Sequence, residues 1–170
     1  MTEASAIVVR PGQEQDLPAL TAIYNHFVEH SVATFDVEPF TVAARREWLG
    51  HYADAGPHRL LVADLDGLVL GYATSGPFRL KPAYARTVET TIYLDPSATG
   101  RGVGSLLYGE LLDVVTAEGM HRAYAGVALP NDASEALHRR FGFRDVGTFT
   151  EVGWKQDRWV DVRWYERSLA

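Results

Sequence analysis

The chain has no cysteine among its 170 residues. That excludes a disulfide scaffold, a thiolate metal site and a covalent acyl-cysteine intermediate. Lysine is nearly absent as well: Lys81 and Lys155 are the only two, and the other basic residues are arginine. The formal net charge is −6, so a sequence-independent grip on nucleic acid through a basic surface is not expected. No apolar run approaches ~20 residues, which argues against a membrane span. The segment from Met1 to Ala6 lacks a basic n-region and a long apolar stretch, so no secretory signal is read and a cytoplasmic protein is expected. None of the histidines has a paired ligand spacing, and no metal site is expected.

What is there is ordinary for one globular domain, and residues 1–170 are taken as a single unit. Hydrophobic residues make up 46% and charged residues 22%. Ile7 to Arg10 reads as a first strand, broken by Pro11-Gly12. Asp16 is placed to cap a helix, with Pro18 in its first turn and Leu17, Leu20, Ile23, Tyr24, Phe27 and Val28 at helical spacing. Thr41 is placed to cap a second helix carrying Trp48, Leu49 and Tyr52, ended by Gly56-Pro57. Two apolar runs flank Asp64-Leu65-Asp66-Gly67, a hairpin signal.

Thr87 to Leu94 is a β-branched strand, Gly104 to Glu118 a helix closed by Gly119, and Tyr124 to Leu129 a strand. Ala133 to Phe141 is a short helix. Val146 to Trp154 and Trp159 to Tyr165 are two last strands. The order β-α-α-β-β-β-α-β-α-β-β predicts a mixed α/β layer fold without the regular alternation of a doubly wound sheet.

Residues Thr99-Gly100-Arg101-Gly102-Val103-Gly104 lie between the fourth strand and the third helix. Glycines at every second position expose backbone N–H groups at a helix start, where the dipole favours an anion such as a phosphate. The spacing is neither G-x-G-x-x-G nor a P-loop, so a dinucleotide fold and a P-loop nucleotidase are not supported. A plain flexible turn is the competing reading. Glu89 is the one carboxylate in the strand before this loop. It is either a surface ion-pair partner or a poorly solvated base with a raised pKa. His138, in the last helix, titrates near ~6.5 when unperturbed and suits proton transfer, or is a core histidine on a backbone carbonyl.

Arg79, Lys81 and Tyr84 cluster before Glu89, either as a carboxylate or phosphinate site or as solvated surface charge. Phe35 is a candidate wall of the same site or a core plug. Trp154, Trp159, Trp164 and Tyr165 read as hairpin packing or a subunit interface.

Gly102, Gly104, Asn131 and Gly142-Phe143 together resemble the GCN5-related N-acetyltransferase (GNAT) superfamily, whose members bind acetyl-CoA through a [QR]-x-x-G-x-[GA] loop. Thr99 stands where that pattern has Gln or Arg, and Arg101 is placed to compensate. Ile23-Tyr24-Asn25-His26, Thr34-Phe35 with Glu38-Pro39, Thr87-Val88-Glu89, Leu129-Pro130-Asn131-Asp132 and Leu137-His138 extend the likeness over nearly the whole chain. The chain resembles the phosphinothricin and methionine sulfoximine N-acetyltransferases.

The resemblance implies a mostly antiparallel mixed sheet flanked by helices, acetyl-CoA as co-substrate and a homodimer. It implies Glu89 as general base and a catalytic role for His138. Acetyl-CoA contacts are expected at Ile92, Tyr93, Leu94, Gly100, Arg101, Gly102, Val103, Gly104, Ser105 and Asn131, and acceptor contacts at Phe35, Arg79, Lys81, Tyr84 and Tyr108. The implied reaction is direct attack by a small acidic amino acid analogue's amine in a ternary complex. A peptide or protein N-terminal acetyltransferase on the same fold, or an inactive CoA-binding sensor, are the alternatives.

Overall fold

The computed structural model describes residues 6–170. The elements are β1 (Val8–Pro11), α1 (Leu17–His30), α2 (Val42–Leu49), β2 (Leu60–Leu65), β3 (Leu68–Pro77), β4 (Thr87–Leu94), α3 (Val103–Ala117), β5 (Arg122–Ala128), α4 (Asp132–Arg140), β6 (Arg144–Lys155) and β7 (Arg158–Ser168). The order is the one expected. All seven strands form a single sheet in the order β1-β2-β3-β4-β5-β7-β6. The pairing is antiparallel everywhere except between β4 and β5. The reading of the extreme N-terminus falls on residues 1–5, outside those described.

Local chemistry sets the turns. Asp66 and Gly67 both have positive φ, 52° and 86°, as a two-residue hairpin between twisted strands requires. The Gly67 amide donates to Asp64 Oδ1 at 2.7 Å. Thr41 caps α2 by accepting the Ala44 amide at 3.2 Å. Two boundaries differ from expectation. Helix α2 ends at Leu49 with Gly50 as its cap, a turn before Gly56-Pro57. Asp16 does not cap α1, because its carboxylate is held instead by Arg10, at 2.8 Å from both Nη1 and Nη2, and by the Gln13 amide. Arg10 also reaches Asp64, so this ion-pair cluster ties β1, β2 and the start of α1 together.

The two faces of the sheet are divided cleanly. Helix α3 lies on one face and buries Val103, Leu107, Tyr108, Leu111, Leu112 and Val115 against Ala73, Val88 and Ala125. Each fully buried Leu stabilises by about 1.5–3 kcal/mol relative to exposure. Helices α1 and α2 cover the other face, with Leu20 and Ile23 on Leu60, Val62, Val69 and Tyr72. Strands β3 and β4 approach closely at Gly71, where a Cβ would lie 2.8 Å from the Tyr93 carbonyl oxygen.

The β6–β7 hairpin corrects one packing expectation: Trp154 and Trp159 pair edge to face at 5.1 Å but are 55% and 58% exposed. Leu111, fully buried in the main core, is a direct probe of it. Leu111→Ala is expected to destabilise the protein by about 2–5 kcal/mol in chemical denaturation, through lost transfer energy and a residual cavity.

Candidate active site

The site begins where the sheet opens. Strands β4 and β5 pair through three residues only, Thr87 with Arg122, Val88 with Ala123 and Glu89 with Tyr124. Beyond Glu89 the two strands part. The fork is pinned from inside: Tyr108 and Thr90 hydroxyls meet at 2.8 Å, and Thr90 Oγ1 lies 3.3 Å from the Tyr124 carbonyl. Since Thr90 has one proton and the carbonyl can only accept, Thr90 donates to Tyr124 and Tyr108 donates to Thr90.

The gap is a slot of about 210 Å³, lined by Thr90 to Leu94 on one side and Gly126 to Ala128 on the other. Thr99, Asn131, Ser134, Leu137 and His138 also line it. The β4 edge facing the slot has no ladder partner past Glu89, so its backbone groups are free to pair with an extended ligand. Gly100 and Gly102, with φ of 73° and 80°, turn the chain into α3 beyond the slot; Gly102 is the helix cap. The Leu106 amide donates to the Gly102 carbonyl, which leaves the amides before it unpaired within the helix. Val103 is a core side chain, so only its amide is offered to a ligand. Gly104 permits close packing, a Cβ there lying 3.3 Å from Leu94 Cδ1. Arg101 is exposed and Ser105 half-buried. The Thr99 hydroxyl donates to the Pro96 carbonyl at 2.9 Å, so it does not replace a free Gln or Arg.

Asn131 caps α4, its Oδ1 accepting the Ser134 amide at 3.2 Å. His138 lies one turn further on, with Nδ1 2.7 Å from the Ser134 carbonyl. That contact fixes the proton on Nδ1 and leaves Nε2 as a buried lone pair with no partner. Burial lowers the His138 pKa, opposed by the Ser134 bond, so the ring is neutral near pH 7. Helix α4 is itself anchored by Glu135, which accepts from Tyr165 and Arg163, each at 2.6 Å.

On the other side of β4 lies a second cavity of about 380 Å³, within the usual range for a small-molecule site. Its floor is one face of the sheet: Tyr72, Thr74 and Gly76 from β3, and Glu89, Thr91 and Tyr93 from β4. Tyr24, Phe40, Trp48 and Tyr52 form walls, and Asp36 and Arg45 also line it. Thr91 and Tyr93 line both cavities, so β4 is the partition between them. Burial raises the Glu89 pKa, and Arg79, with Nη1 4.0 Å away, opposes the rise. Glu89 thus combines the two sequence readings: it is partly desolvated and it has an ion-pair partner.

Arg45 was missed from sequence. It is 5% exposed, stacked 3.6 Å from the Trp48 ring centre and 4.4 Å from that of Tyr24. A sequence signal existed, since Arg45, Trp48 and Leu49 fall on one stripe of α2. Cation–π contacts contribute about 2 kcal/mol when desolvated. Removing the charge from water costs several kcal/mol.

Other expected acceptor residues are placed differently. Tyr108 is fully buried among His138, Phe141 and Phe143 and lines neither cavity. The structure corrects its assignment to the acceptor; its hydroxyl holds the fork. Phe35 lines neither cavity and instead covers Gly153, where a Cβ would lie 2.3 Å from its ring. Lys81 and Tyr84 are exposed on the turn before β4 and line neither cavity, though Tyr84 meets Phe78 edge to face at 5.8 Å. Among the described residues no group of His, Asp and Glu is placed to hold a metal ion, and no helix is long and apolar enough to cross a membrane.

A family model described as acetyltransferase (GNAT) family matches residues 20–143. The chain belongs to that family. It is 57% identical to a phosphinothricin N-acetyltransferase of Streptomyces coelicolor, over 99% of this chain and 100% of the relative. It is 35% identical to an L-methionine sulfoximine/L-methionine sulfone acetyltransferase of Pseudomonas aeruginosa, over 95% and 94% of the two chains. Among solved structures, a GNAT phosphinothricin acetyltransferase from Sinorhizobium meliloti in complex with acetyl-CoA superposes with a TM-score of 0.89 at 34% identity, over 96% of this chain and 89% of that one. The GNAT fold that the resemblance implied is the fold observed.

The fork pin has a measurable cost. Thr90→Val keeps the shape of the side chain but strips Tyr108 of its acceptor in the dry core. A loss of about 1–3 kcal/mol is expected in chemical denaturation, with Tyr108→Phe in the same background recovering part of it.

Proposed function

We propose that this protein transfers the acetyl group of acetyl-CoA to the primary amine of a small acidic amino acid analogue of the phosphinothricin or methionine sulfoximine type. The observation that carries the reading is the position of Glu89, in the amine-sized cavity beside the partition strand whose other side is the slot. The names of the relatives support the substrate class. Acylation of phosphinothricin by such an enzyme would give resistance to that herbicide.

The slot fits acetyl-CoA in chemistry. The unpaired edge at Ile92, Tyr93 and Leu94 suits the amide-bearing pantetheine arm, and Asn131 offers its side-chain amide. The free amides around Gly100 to Gly104 suit the pyrophosphate, with Arg101 and Ser105 beside them. An α-amine with a pKa near ~8 is mostly protonated at neutral pH. Glu89 takes its proton, directly or through water. The amine then forms the N–C bond to the acetyl carbon as the C–S bond breaks, and the nitrogen's second proton passes to the departing CoA thiolate, which leaves as the thiol. A backbone N–H of Ile92 to Leu94 stabilises the developing oxyanion. With no cysteine in the chain, the acetyl group passes in one ternary complex. His138 lines the slot, whereas Tyr108 does not. The neutral His138 ring offers Nε2 as an acceptor, so its role is to hold a protonated partner in place rather than to surrender a proton.

Arg79 lines neither cavity but stands 4.0 Å from Glu89, and is the basic residue proposed as an acceptor contact. A homodimer and a cytoplasmic setting belong to the same proposal. Phe149, Val152, Trp154 and Trp159, each more than half exposed on β6 and β7, support the dimer.

A thiol-release assay with acetyl-CoA and a panel of phosphinothricin, methionine sulfoximine, free amino acids and short peptides tests the assignment. Turnover confined to peptides would favour the N-terminal acetyltransferase alternative, and none at all the sensor. Glu89→Gln is expected to cut kcat by a factor of ~10² or more with acetyl-CoA affinity kept. The base must be ionised to act, so kcat/KM falls on the acid side of the Glu89 pKa. Arg79 holds that pKa down, so Arg79→Met is expected to move the acid limb to higher pH; a limb that stays in place would remove Glu89 from the base role. Gly102→Val places a branched side chain at a φ of 80° and is expected to weaken CoA binding in calorimetry by tenfold or more.

A further inference from the structure

Arg45 is a buried cation whose partner is not supplied by the protein. Its guanidinium makes one long hydrogen bond, Nη2 to the Tyr72 hydroxyl at 3.3 Å. Its Nε is buried with no partner. It forms no ion pair among the described residues. The Asp36 carboxylate lines the same cavity but is engaged by the Tyr24 hydroxyl. Rings of Trp48 and Tyr24 hold the guanidinium plane in place, as a rigid fork suited to an oxyanion requires.

The sheet register supplies a ruler. Tyr72, under Arg45, pairs with Tyr93, and Gly76 pairs with Glu89. Four residues along β3 span roughly 13 Å at about 3.3 Å per residue. Arg45, over Tyr72, and Glu89, opposite Gly76, both line this one cavity. Between them the floor is polar, with the Thr74 and Thr91 hydroxyls 2.7 Å apart. Arg79 stands beside Glu89, its Nη1 4.0 Å from the carboxylate.

We propose that Arg45 is a specificity-determining residue that binds the oxyanionic group at the far end of the acceptor side chain, while Glu89 and Arg79 hold its α-amine and α-carboxylate. The inference rests on the acceptor reading above and adds a requirement to it: the acceptor carries a second anionic or strongly dipolar oxygen group several bonds from the amine. The cavity thus takes the acceptor lengthwise along the β3–β4 ladder, from the Glu89 end to the aromatic box of α1 and α2.

The test measures binding and turnover separately for phosphinothricin, with an anionic far end, and for norvaline, which has none. Wild type, Arg45→Met and Arg45→Lys are compared by calorimetry in the presence of CoA and by thiol release with acetyl-CoA. The expected result is a wild-type preference for phosphinothricin that Arg45→Met reduces at least tenfold, chiefly through KM, with Arg45→Lys recovering part of it. Unchanged relative KM and affinity in Arg45→Met would overturn the assignment. Wild-type binding that depends on Arg45 without turnover would reject the transferase reading while supporting Arg45 as the anion site. Failure of the wild type to bind phosphinothricin at all would overturn the inference even if other amines are acetylated. Melting temperatures of the variants separate a misfolded protein from a lost contact, and Arg45→Lys, which keeps the charge, carries the comparison if Arg45→Met does not fold.

Discussion

Two parallel strands that pair for three residues and then separate determine where everything else can happen. Up to Glu89 and Tyr124 the sheet is continuous. Past that point β4 keeps β3 on one side and has nothing on the other. An unpaired strand edge in a folded interior is costly unless something occupies it. The split is held by a hydroxyl relay, Tyr108 to Thr90 to the Tyr124 carbonyl, which satisfies the last groups before the gap. Helix α3 supplies Tyr108 and also begins at the glycine loop, so one element both holds the fork and presents free amides beside it.

From that split follows a division of labour across a single strand. Alternate residues of β4 point to opposite faces. Thr90 is directed to the α3 side and pins the fork. Glu89, Thr91 and Tyr93 face α1 and α2 and form the floor of the second cavity. The slot and this cavity thus lie on opposite sides of one strand. Electrostatics in the second cavity is equally divided. Arg79 and Glu89 are paired and partly solvated, whereas Arg45 is enclosed by aromatic rings with no carboxylate of its own. A buried cation of this kind reports on the ligand more than on the fold, because protein-only partners leave its desolvation uncompensated.

Much of this was legible in the chain because the signals are local. Thr41 capping α2, the Asp66-Gly67 hairpin and the β-branched run from Thr87 to Leu94 depend on neighbours close in sequence. Asp16 misled because its cap position competes with an arginine, Arg10, brought there by the β1–β2 pairing. Tyr108 misled in the opposite way: a tyrosine on the helix after a phosphate-type loop is near the site in sequence, yet its stripe faces the core. Phe35 was placed near the site by its loop, but the β6–β7 hairpin claims its ring through Gly153.

The sequence by itself determined the family, the order of elements, the glycine loop at the start of α3 and the carboxylate in the strand before it. The family is carried by a resemblance in particular residues, and the others by periodicity and turn chemistry. Only the tertiary structure decided which face Glu89 shares with Arg45, that His138 is neutral with its proton on Nδ1, and that Tyr108 supports the site from behind. Those outcomes depend on burial and on partners far apart in the chain, and burial fixes the charge state of a side chain in a way that residue type cannot.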